Sequence, residues 1–220
     1  NEVAWAEQHK MLRVAFATAI CSEEAAFEVQ YGHLKRSTHR NTYWDHACFE
    51  AVGHRWADIS EPNYGFALLN DCKYGHKVLA GTLDLNLLRS STDPDPIADQ
   101  GAHRFTYSIL PHCGGLPARQ IQAEAAMLNQ GITVIAGLAG GEAALPVTLV
   151  GEGIELSVLK RGEKDACLVV RVVETCGAHA SGELVCADEN ARITPTNLVE
   201  WDDRPQDATR GRMALKLSPF

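Results

Sequence analysis

A short polar segment holds four side chains that can bind a hydroxyl-rich ligand: Asn70, Asp71, Lys73 and Tyr74. It directly follows an apolar stretch that reads as a strand. Loops at strand ends commonly carry binding residues, and amide, carboxylate, ammonium and phenol groups all hydrogen-bond hydroxyls. The alternative is an Asx-type turn that contacts another lobe, with Gly75 supplying a positive φ. The segment therefore predicts either ligand contact or a structural turn.

Arg89 is the best single candidate for binding. It ends the alternating segment Leu83–Leu88 and precedes an Asp-Pro-Asp-Pro loop. A guanidinium can hold two hydroxyls or a carboxylate in a fixed fork. The alternative is a salt bridge to Asp93, Asp95 or Asp99 that fixes the loop. Two of these aspartates each precede a proline, which restricts them to extended backbone, so we interpret them as part of a rigid turn and not as a catalytic carboxylate pair.

The histidines at positions 33, 39 and 46, together with Asp45, are the only metal-like group in the sequence. Their spacings of six and seven residues match no zinc signature, and we interpret them as a loop of hydrogen-bonded histidines. His103 and His112 flank a predicted strand and are expected to satisfy backbone groups. Cys72 lies beside Lys73 without an identifiable base, and we treat it as structural. The sequence thus predicts neither catalytic nor metal-binding residues in this chain.

Composition narrows the choice of partners and location. The formal net charge is -8 and the pI is near 5.6, which argues against a nucleic-acid partner. No apolar run approaches the ~20 residues that span a membrane. The seven cysteines include no Cys-x-x-Cys pair, so free thiols in a reducing compartment are expected. These features predict a cytoplasmic location.

Segments with alternating apolar and polar residues must position the candidate residues. A period of two marks strands with one buried face, and it recurs at 12–16, 27–31, 83–87, 105–109, 154–158 and 213–217. The continuous apolar run Cys167–Val173 reads as a central strand. Pro117–Asn129 is the one helix candidate, with proline first and Gly131 after it. The predicted fold class is all-β, an antiparallel β-sandwich of the super-sandwich type with at most one short helix.

The aromatic-rich half of the sequence ends near residue 112, which suggests two packed β lobes. Residues 1–112 form the first lobe and carry the NDCKYG and RSSTDPDP loops. Residues 113–220 form the second, which we expect to stop before a last strand.

An ordered series of motifs identifies a family. The sequences NYGFALLNDCKYGHK (63–77), LRSSTDPDP (88–96) and HRFTYSILPH (103–112) resemble the C-terminal region of glycoside hydrolase family 38 α-mannosidases, in the branch with cytosolic, vacuolar and many bacterial enzymes. WAEQHKMLRVAF (5–16) and FEVQYGHLKRSTHRNTYWDHACFE (27–50) extend the likeness, which covers nearly the whole chain. His76 departs from the family pattern, where an aromatic residue is frequent.

The resemblance implies hydrolysis of terminal α-D-mannosyl residues with retention, which uses two carboxyl groups about 5–5.5 Å apart. It also implies that the nucleophile and a zinc ion lie in an upstream catalytic domain, so that this chain alone is inactive and needs no cofactor. An arginine at the strand end corresponding to Arg89 reaches toward the sugar in related enzymes. The expected partners are that upstream domain of the same polypeptide and a mannose-containing oligosaccharide, with a homo-oligomer possible.

Two other functions stay open at this stage. The chain can be a stand-alone carbohydrate-binding module in which Tyr43 and Trp44 stack on a sugar face, although packing in the core or at a domain interface fits aromatics better. It can also be a structural or oligomerisation domain. Mannoside binding by the isolated chain would favour the carbohydrate-binding module. Self-association without sugar affinity would favour the structural or oligomerisation domain.

Overall fold

The computed structural model describes residues 1–134, 136–137, 145–163, 166–201 and 204–220, with residue 206 described by its backbone only. These residues divide into two units, Asn1–Ile132 and Thr133–Phe220. Every strand pair described is antiparallel. The predicted all-β class is therefore confirmed. No helix in these ranges has the length and hydropathy needed to cross a membrane.

The first unit contains the elements β1 (Glu2–Trp5), β2 (Leu12–Ala17), β3 (Glu24–Val29), β4 (Gly32–Ser37), α1 (Tyr43–Ala47), β5 (Ala51–Val52), β6 (Trp56–Glu61), β7 (Tyr64–Asn70), β8 (Gly75–Leu79), β9 (Thr82–Leu88), β10 (Gly101–Arg104), β11 (Tyr107–Cys113) and α2 (Ala118–Asn129). The second unit contains β12 (Val147–Gly151), β13 (Ile154–Arg161), β14 (Leu168–Glu174), β15 (Ala180–Cys186), β16 (Arg192–Ile193), a 3-10 helix (Pro205–Asp207), β17 (Thr209–Arg210) and β18 (Arg212–Leu217). The alternating segments all lie on strands or directly beside them, and α2 confirms the predicted helix.

Two sheets form the sandwich of the first unit. One has five strands in the order β11-β7-β6-β3-β4, and the other has four in the order β2-β9-β8-β5. Their facing side chains form one hydrophobic core, which includes Phe27, Ile59 and Leu68 from the first sheet and Leu83 and Leu85 from the second. β1 and β10 form a separate two-stranded ribbon.

Helix α2 covers the other face of the five-stranded sheet. Ile121 and Ala125 of the helix pack with Trp56 and Leu69 in a second core. The Trp56 indole N–H donates to the side-chain oxygen of Gln122 at 3.0 Å, so its one polar group is satisfied. The helix thus belongs to the first unit, which ends at Ile132, whereas the sequence suggested a boundary after His112.

The second unit is built from smaller sheets. β12, β15 and β18 form a three-stranded sheet in that order, while β13 pairs with β14 and β16 with β17. Within the described ranges, β14 pairs with β13 alone, and Leu168 is 51% exposed. The prediction that Cys167–Val173 is a central strand is therefore wrong. Its run of β-branched residues reflects strand propensity, which does not require partners on both sides.

His76 on β8 is an unusual member of the first core. It is 1% exposed, and neither ring nitrogen has a hydrogen-bond partner among the described residues. Its ring meets that of Phe27 edge-on, with 6.1 Å between centroids. Burial lowers the pKa of His76 to about 4. The imidazole is therefore neutral in the folded protein at pH 7.

Replacing His76 with phenylalanine should remove part of the pH dependence of stability. In the wild type, the unfolded chain binds a proton near pH 6.5 that the folded chain binds only near pH 4. Between these values, acidification should lower the free energy of unfolding by about 1.4 kcal/mol per pH unit. The variant should lack this slope in urea titrations at pH 7, 6 and 5. The control is His46→Phe, which replaces an exposed histidine and should keep the wild-type slope of stability against pH. Equal slopes in the wild type and in His76→Phe would contradict the prediction.

Candidate functional site

Asn70 anchors the turn that follows β7. It is 1% exposed, and its amide donates to the His54 carbonyl at 2.9 Å. Its side-chain oxygen accepts the backbone N–H groups of Cys72 at 3.1 Å and Lys73 at 2.5 Å. From α2, Asn129 donates to the Asn70 carbonyl at 3.0 Å. This is the Asx-type turn that the sequence offered as the alternative to ligand contact.

Asp71 ties the same turn to the segment between β10 and β11. Its carboxylate accepts the Thr106 backbone N–H at 2.8 Å, and its own N–H donates to the Thr106 carbonyl at 3.1 Å. Desolvation opposes ionisation, but hydrogen bonds from Cys72 and Thr106 outweigh it and lower the pKa of Asp71. Burial and the Asp71 carboxylate raise the pKa of the Cys72 thiol to about 11. Cys72 is therefore protonated at neutral pH, which agrees with a structural role.

Lys73 and Tyr74 extend from the turn in different environments. The Lys73 ammonium lies 5.0 Å from the centroid of the Phe105 ring, a cation–π distance. Its charge also contributes to a lowered pKa of Asp99 in the next loop. Tyr74 is 58% exposed and meets the His54 ring edge-on, with 5.5 Å between centroids. Lys73 therefore packs over Phe105, while Tyr74 remains open to solvent.

Asp99 fixes the loop that begins with Arg89. Its carboxylate accepts the backbone N–H groups of Arg89 and Ser90, each at 2.9 Å. Hydrogen bonds from Ser90 and Arg89 are the main causes of its lowered pKa. Ser90 is 1% exposed with φ of 52°, its hydroxyl accepts the Trp5 indole N–H, and its carbonyl accepts the His9 N–H at 2.9 Å. The start of the loop is thus held through the backbone.

The Arg89 guanidinium is exposed and has no carboxylate within ion-pair distance in the described part of the chain. The salt bridge considered as its alternative role is therefore not formed, and one oxygen of Asp99 binds the backbone of Arg89 and Ser90. Asp95 accepts the Ile97 N–H at 3.0 Å, as expected for a rigid turn. Arg89 is left as a free cation on a fixed strand end.

A buried ion pair supports this region, and the sequence analysis missed it. Glu28 on β3 is 2% exposed and accepts the Arg55 backbone N–H at 2.6 Å and its guanidinium at 2.5–3.1 Å. The Arg55 carbonyl in turn accepts the Asn70 N–H at 2.8 Å. Glu28 thereby positions the segment on which Asn70 and Tyr74 rest. A single glutamate in an alternating strand gives no signal that it will be buried.

Asp58, Ser60 and His112 form a buried polar group that resembles a hydrolytic triad only in residue type. His112 lies 2.7 Å from one Asp58 oxygen, and the Ser60 hydroxyl donates to the other at 2.8 Å. Serine and histidine therefore share the carboxylate, and the imidazole does not activate the hydroxyl. Burial raises the pKa of Asp58. The expectation that His112 satisfies a backbone group is wrong, while His103 does contact the Asp99 carbonyl at 2.7 Å.

The histidines of the metal-like group lie apart in the fold. Asp45 caps α1 in a reciprocal capping box with Thr42, and His39 approaches its carboxylate at 3.6 Å. The His33 ring lies against Trp56, with 5.8 Å between centroids. The described residues contain no set of three His, Cys, Asp or Glu side chains arranged to hold a metal ion. They therefore offer no site that fits zinc.

Tyr43 and Trp44 do not lie in the core. On α1 they are 96% and 85% exposed, and this five-residue helix has no buried residue. The sequence did not predict α1, since five residues are too few to show a helical period.

Comparisons with known proteins agree with this architecture. Residues 1–97 match the family described as the glycosyl hydrolases family 38 C-terminal domain. Alpha-mannosidase G of Dictyostelium discoideum is 44% identical over 100% of this chain and 21% of its own length. The Homo sapiens alpha-mannosidase 2C1 is 37% identical over 100% of this chain and 22% of its own length, and a Saccharomyces cerevisiae alpha-mannosidase is 32% identical over 98% and 22%.

A solved structure extends the match to the fold of the whole chain. A family 38 glycosyl hydrolase from Enterococcus faecalis superposes with a TM-score of 0.78 and 21% identity, covering 100% of this chain and 26% of the other. This structural likeness shows the fold. The sequence matches show that the chain belongs to the C-terminal domain of glycosyl hydrolase family 38. The chain spans about a fifth of the length of the curated relatives it matches, 21–22% in each case.

Asp99→Asn should loosen the loop that carries Arg89. Loss of the charged acceptor should lower the free energy of unfolding at pH 7 by about 1 kcal/mol, since partial exposure screens the carboxylate. Because the folded pKa of Asp99 is lowered, its stabilising effect is present above about pH 4 and is lost as the pH falls through the folded pKa. Urea titrations at pH 7 and pH 3 measure the difference, which should shrink at pH 3.

The control is Asp93→Asn, which removes the same charge from the same loop. Asp93 accepts no hydrogen bond from another described residue, so its replacement should leave stability within about 0.5 kcal/mol of wild type. Equal losses in the two variants would show that Asp99 acts by net charge and not by holding the backbone.

Proposed function

We propose that this chain is the C-terminal β region of a retaining α-mannosidase that hydrolyses terminal α-D-mannosyl residues. The observation that supports the substrate class is the match, over nearly the full chain, to relatives named as alpha-mannosidases. The catalytic nucleophile, the acid and a zinc ion would then belong to an upstream domain of the same polypeptide. No catalytic step is assigned to the residues of this chain.

In this proposal, the chain completes the rim of the substrate site through Arg89. The free guanidinium lies at the end of β9, on a backbone that Asp99 holds with two hydrogen bonds of 2.9 Å. A planar fork can bind two sugar hydroxyls. Because the backbone is already fixed, only the side chain has to be ordered on binding. Its lack of an internal carboxylate partner leaves it available for a mannoside.

Lys73, Tyr74 and Asp71 form a second part of the proposed rim of the substrate site. The exposed Tyr74 and the Lys73 ammonium are candidates for contact with either the sugar or the catalytic domain. Asp71 and Asn70 act on them indirectly, because their polar groups bind the neighbouring backbone. We therefore propose Asp71 and Asn70 as positioning residues and Lys73 and Tyr74 as contact residues.

The exposure of Tyr43 and Trp44 favours a second candidate, a carbohydrate-binding module. Two exposed neighbouring aromatics can stack on sugar faces, or they can cover a surface of the catalytic domain. The cytoplasmic location and a homo-oligomeric state stay predictions, the former from the cysteine pattern of the sequence.

Hydrolysis of a chromogenic α-mannoside distinguishes these functions. The 220-residue chain alone, with zinc added, should show no turnover, while the same chain extended upstream by the catalytic domain should be active. The isolated chain should also bind methyl α-mannoside no better than its Trp44→Ala variant. Turnover by the isolated chain would overturn the accessory role, and binding that depends on Trp44 would favour the carbohydrate-binding module.

Arg89→Ala in the extended polypeptide should lower kcat/KM by about 10-fold or more, because a bidentate contact to the substrate is worth a few kcal/mol at most. Arg89→Lys keeps the charge without the fork and should recover only part of the activity. Arg119→Ala removes an exposed, unpaired arginine from α2 and is the control. A loss of unfolding free energy with unchanged kcat/KM would instead make Arg89 structural.

A further inference from the structure

Ser90 has a backbone conformation that serine rarely adopts. Its φ is 52°, in the left-handed region that favours glycine. Strand residues have φ of about -120° to -140°, so this conformation ends β9 and turns the chain out of the sheet directly after Arg89. Leu88 and Ser90 are 4% and 1% exposed, whereas Arg89 between them is exposed. The conformation of Ser90 therefore determines how the chain leaves the sheet beside the Arg89 side chain.

The three polar groups of Ser90 all have partners on other segments. Its backbone N–H donates to the Asp99 carboxylate at 2.9 Å, its carbonyl accepts the His9 N–H at 2.9 Å, and its hydroxyl accepts the Trp5 indole N–H. Trp5 ends β1, and His9 lies between β1 and β2. A sparsely populated backbone conformation persists only where the surroundings determine it, and such residues cluster at functional sites. The contacts of Ser90 meet that condition.

The segment from Trp5 to His9 also contacts the rest of the loop that follows Ser90. The side-chain amide of Gln8 donates to the Pro96 carbonyl at 3.4 Å. A ring nitrogen of His9 lies 3.3 Å from the Thr92 hydroxyl. This segment therefore runs along the loop, and its bond from Trp5 to Ser90 is the contact that lies closest in sequence to Arg89.

We propose that Ser90 is a positioning residue for Arg89, and that the Trp5 indole N–H holds the Ser90 hydroxyl in place. This inference rests on the role proposed above for Arg89 at the rim of the substrate site. A guanidinium fork binds two acceptors only when it points at both of them, so the residues next to it must fix its direction. Ser90 is itself buried and acts on the substrate only through Arg89.

The structural alternative is that Ser90 only ends β9. The bonds from Ser90 to Asp99 and His9 use backbone groups, so they would serve that purpose with any residue at this position. Glycine would adopt the left-handed conformation at no steric cost. The presence of serine therefore favours a role for its hydroxyl, which accepts the Trp5 indole N–H. The alternative predicts that replacing Ser90 changes stability and leaves kcat/KM unchanged.

A double-mutant cycle in the polypeptide extended upstream by the catalytic domain tests the proposal, with kcat/KM for a chromogenic α-mannoside as the readout. Ser90→Gly removes the hydroxyl and keeps access to the left-handed conformation, so the variant should fold. Its kcat/KM should fall about 3- to 10-fold, because a misplaced fork loses part of its contact with the substrate. In the Arg89→Ala background, the same change should have less than about a 2-fold effect, since the side chain that it positions is absent.

The matched control is Ser91→Gly, which makes the same substitution at the next residue. Ser91 has no positive φ, and its hydroxyl has no partner in the described part of the chain. This variant should keep kcat/KM within about 2-fold of wild type. Trp5→Phe removes only the indole donor and should lower kcat/KM about 2- to 5-fold, even if Ser90→Gly folds poorly. Urea titration of each variant measures its stability separately.

Failure of this inference and failure of the proposed function give different results. A loss of activity in Arg89→Ala with unchanged kcat/KM in Ser90→Gly and Trp5→Phe would overturn the role of Ser90 and leave that of Arg89 intact. An equal effect of Ser90→Gly in both backgrounds, or an equal loss in Ser91→Gly, would also overturn it. Unchanged kcat/KM in Arg89→Ala would overturn the rim role of Arg89 and this inference with it.

Discussion

Burial of both faces of the five-stranded sheet is the constraint on which the first unit depends. Along β6, Trp56 packs under α2 and Ile59 packs against the four-stranded sheet, and each is 0% exposed. Successive residues of a strand point to opposite faces, so a slip of one residue would send each side chain into the wrong core. The register of this sheet therefore fixes where its strands end and where the loops that follow them begin.

The loops at those ends are held by buried or partly buried polar side chains that bind backbone groups. Asn70 and Asp99 accept backbone N–H groups of residues in or beside the candidate site. Glu28 accepts that of Arg55, whose carbonyl accepts the Asn70 N–H. Backbone groups removed from water need such partners, because leaving them unpaired costs about as much as a lost hydrogen bond. The consequence for function is that Asp99 fixes the backbone at Arg89, while the Arg89 guanidinium forms no ion pair with a described residue.

The period of two in the sequence was sufficient to locate a strand where one face of that strand is buried and the other is not. It located β2, β9, β13 and β18, and the proline and alanine content located α2. It failed for β14, whose apolar run suggested partners on both sides, and for α1, which is a single short turn with no buried face. For both elements, the sequence does not say which other strand or helix covers their side chains.

The sequence by itself determined the family and the all-β class, because motifs and hydrophobic period can be read directly along the chain. It left the segment at Asn70 open between ligand contact and an Asx-type turn. Only the tertiary structure decided that Asp99 binds backbone amides and not the Arg89 guanidinium, that Glu28 is buried against Arg55, and that Arg40 lies over the ring of Phe49. These contacts join different strands and loops. They depend on strand pairing and on which face is covered, and neither is encoded in a short stretch of chain.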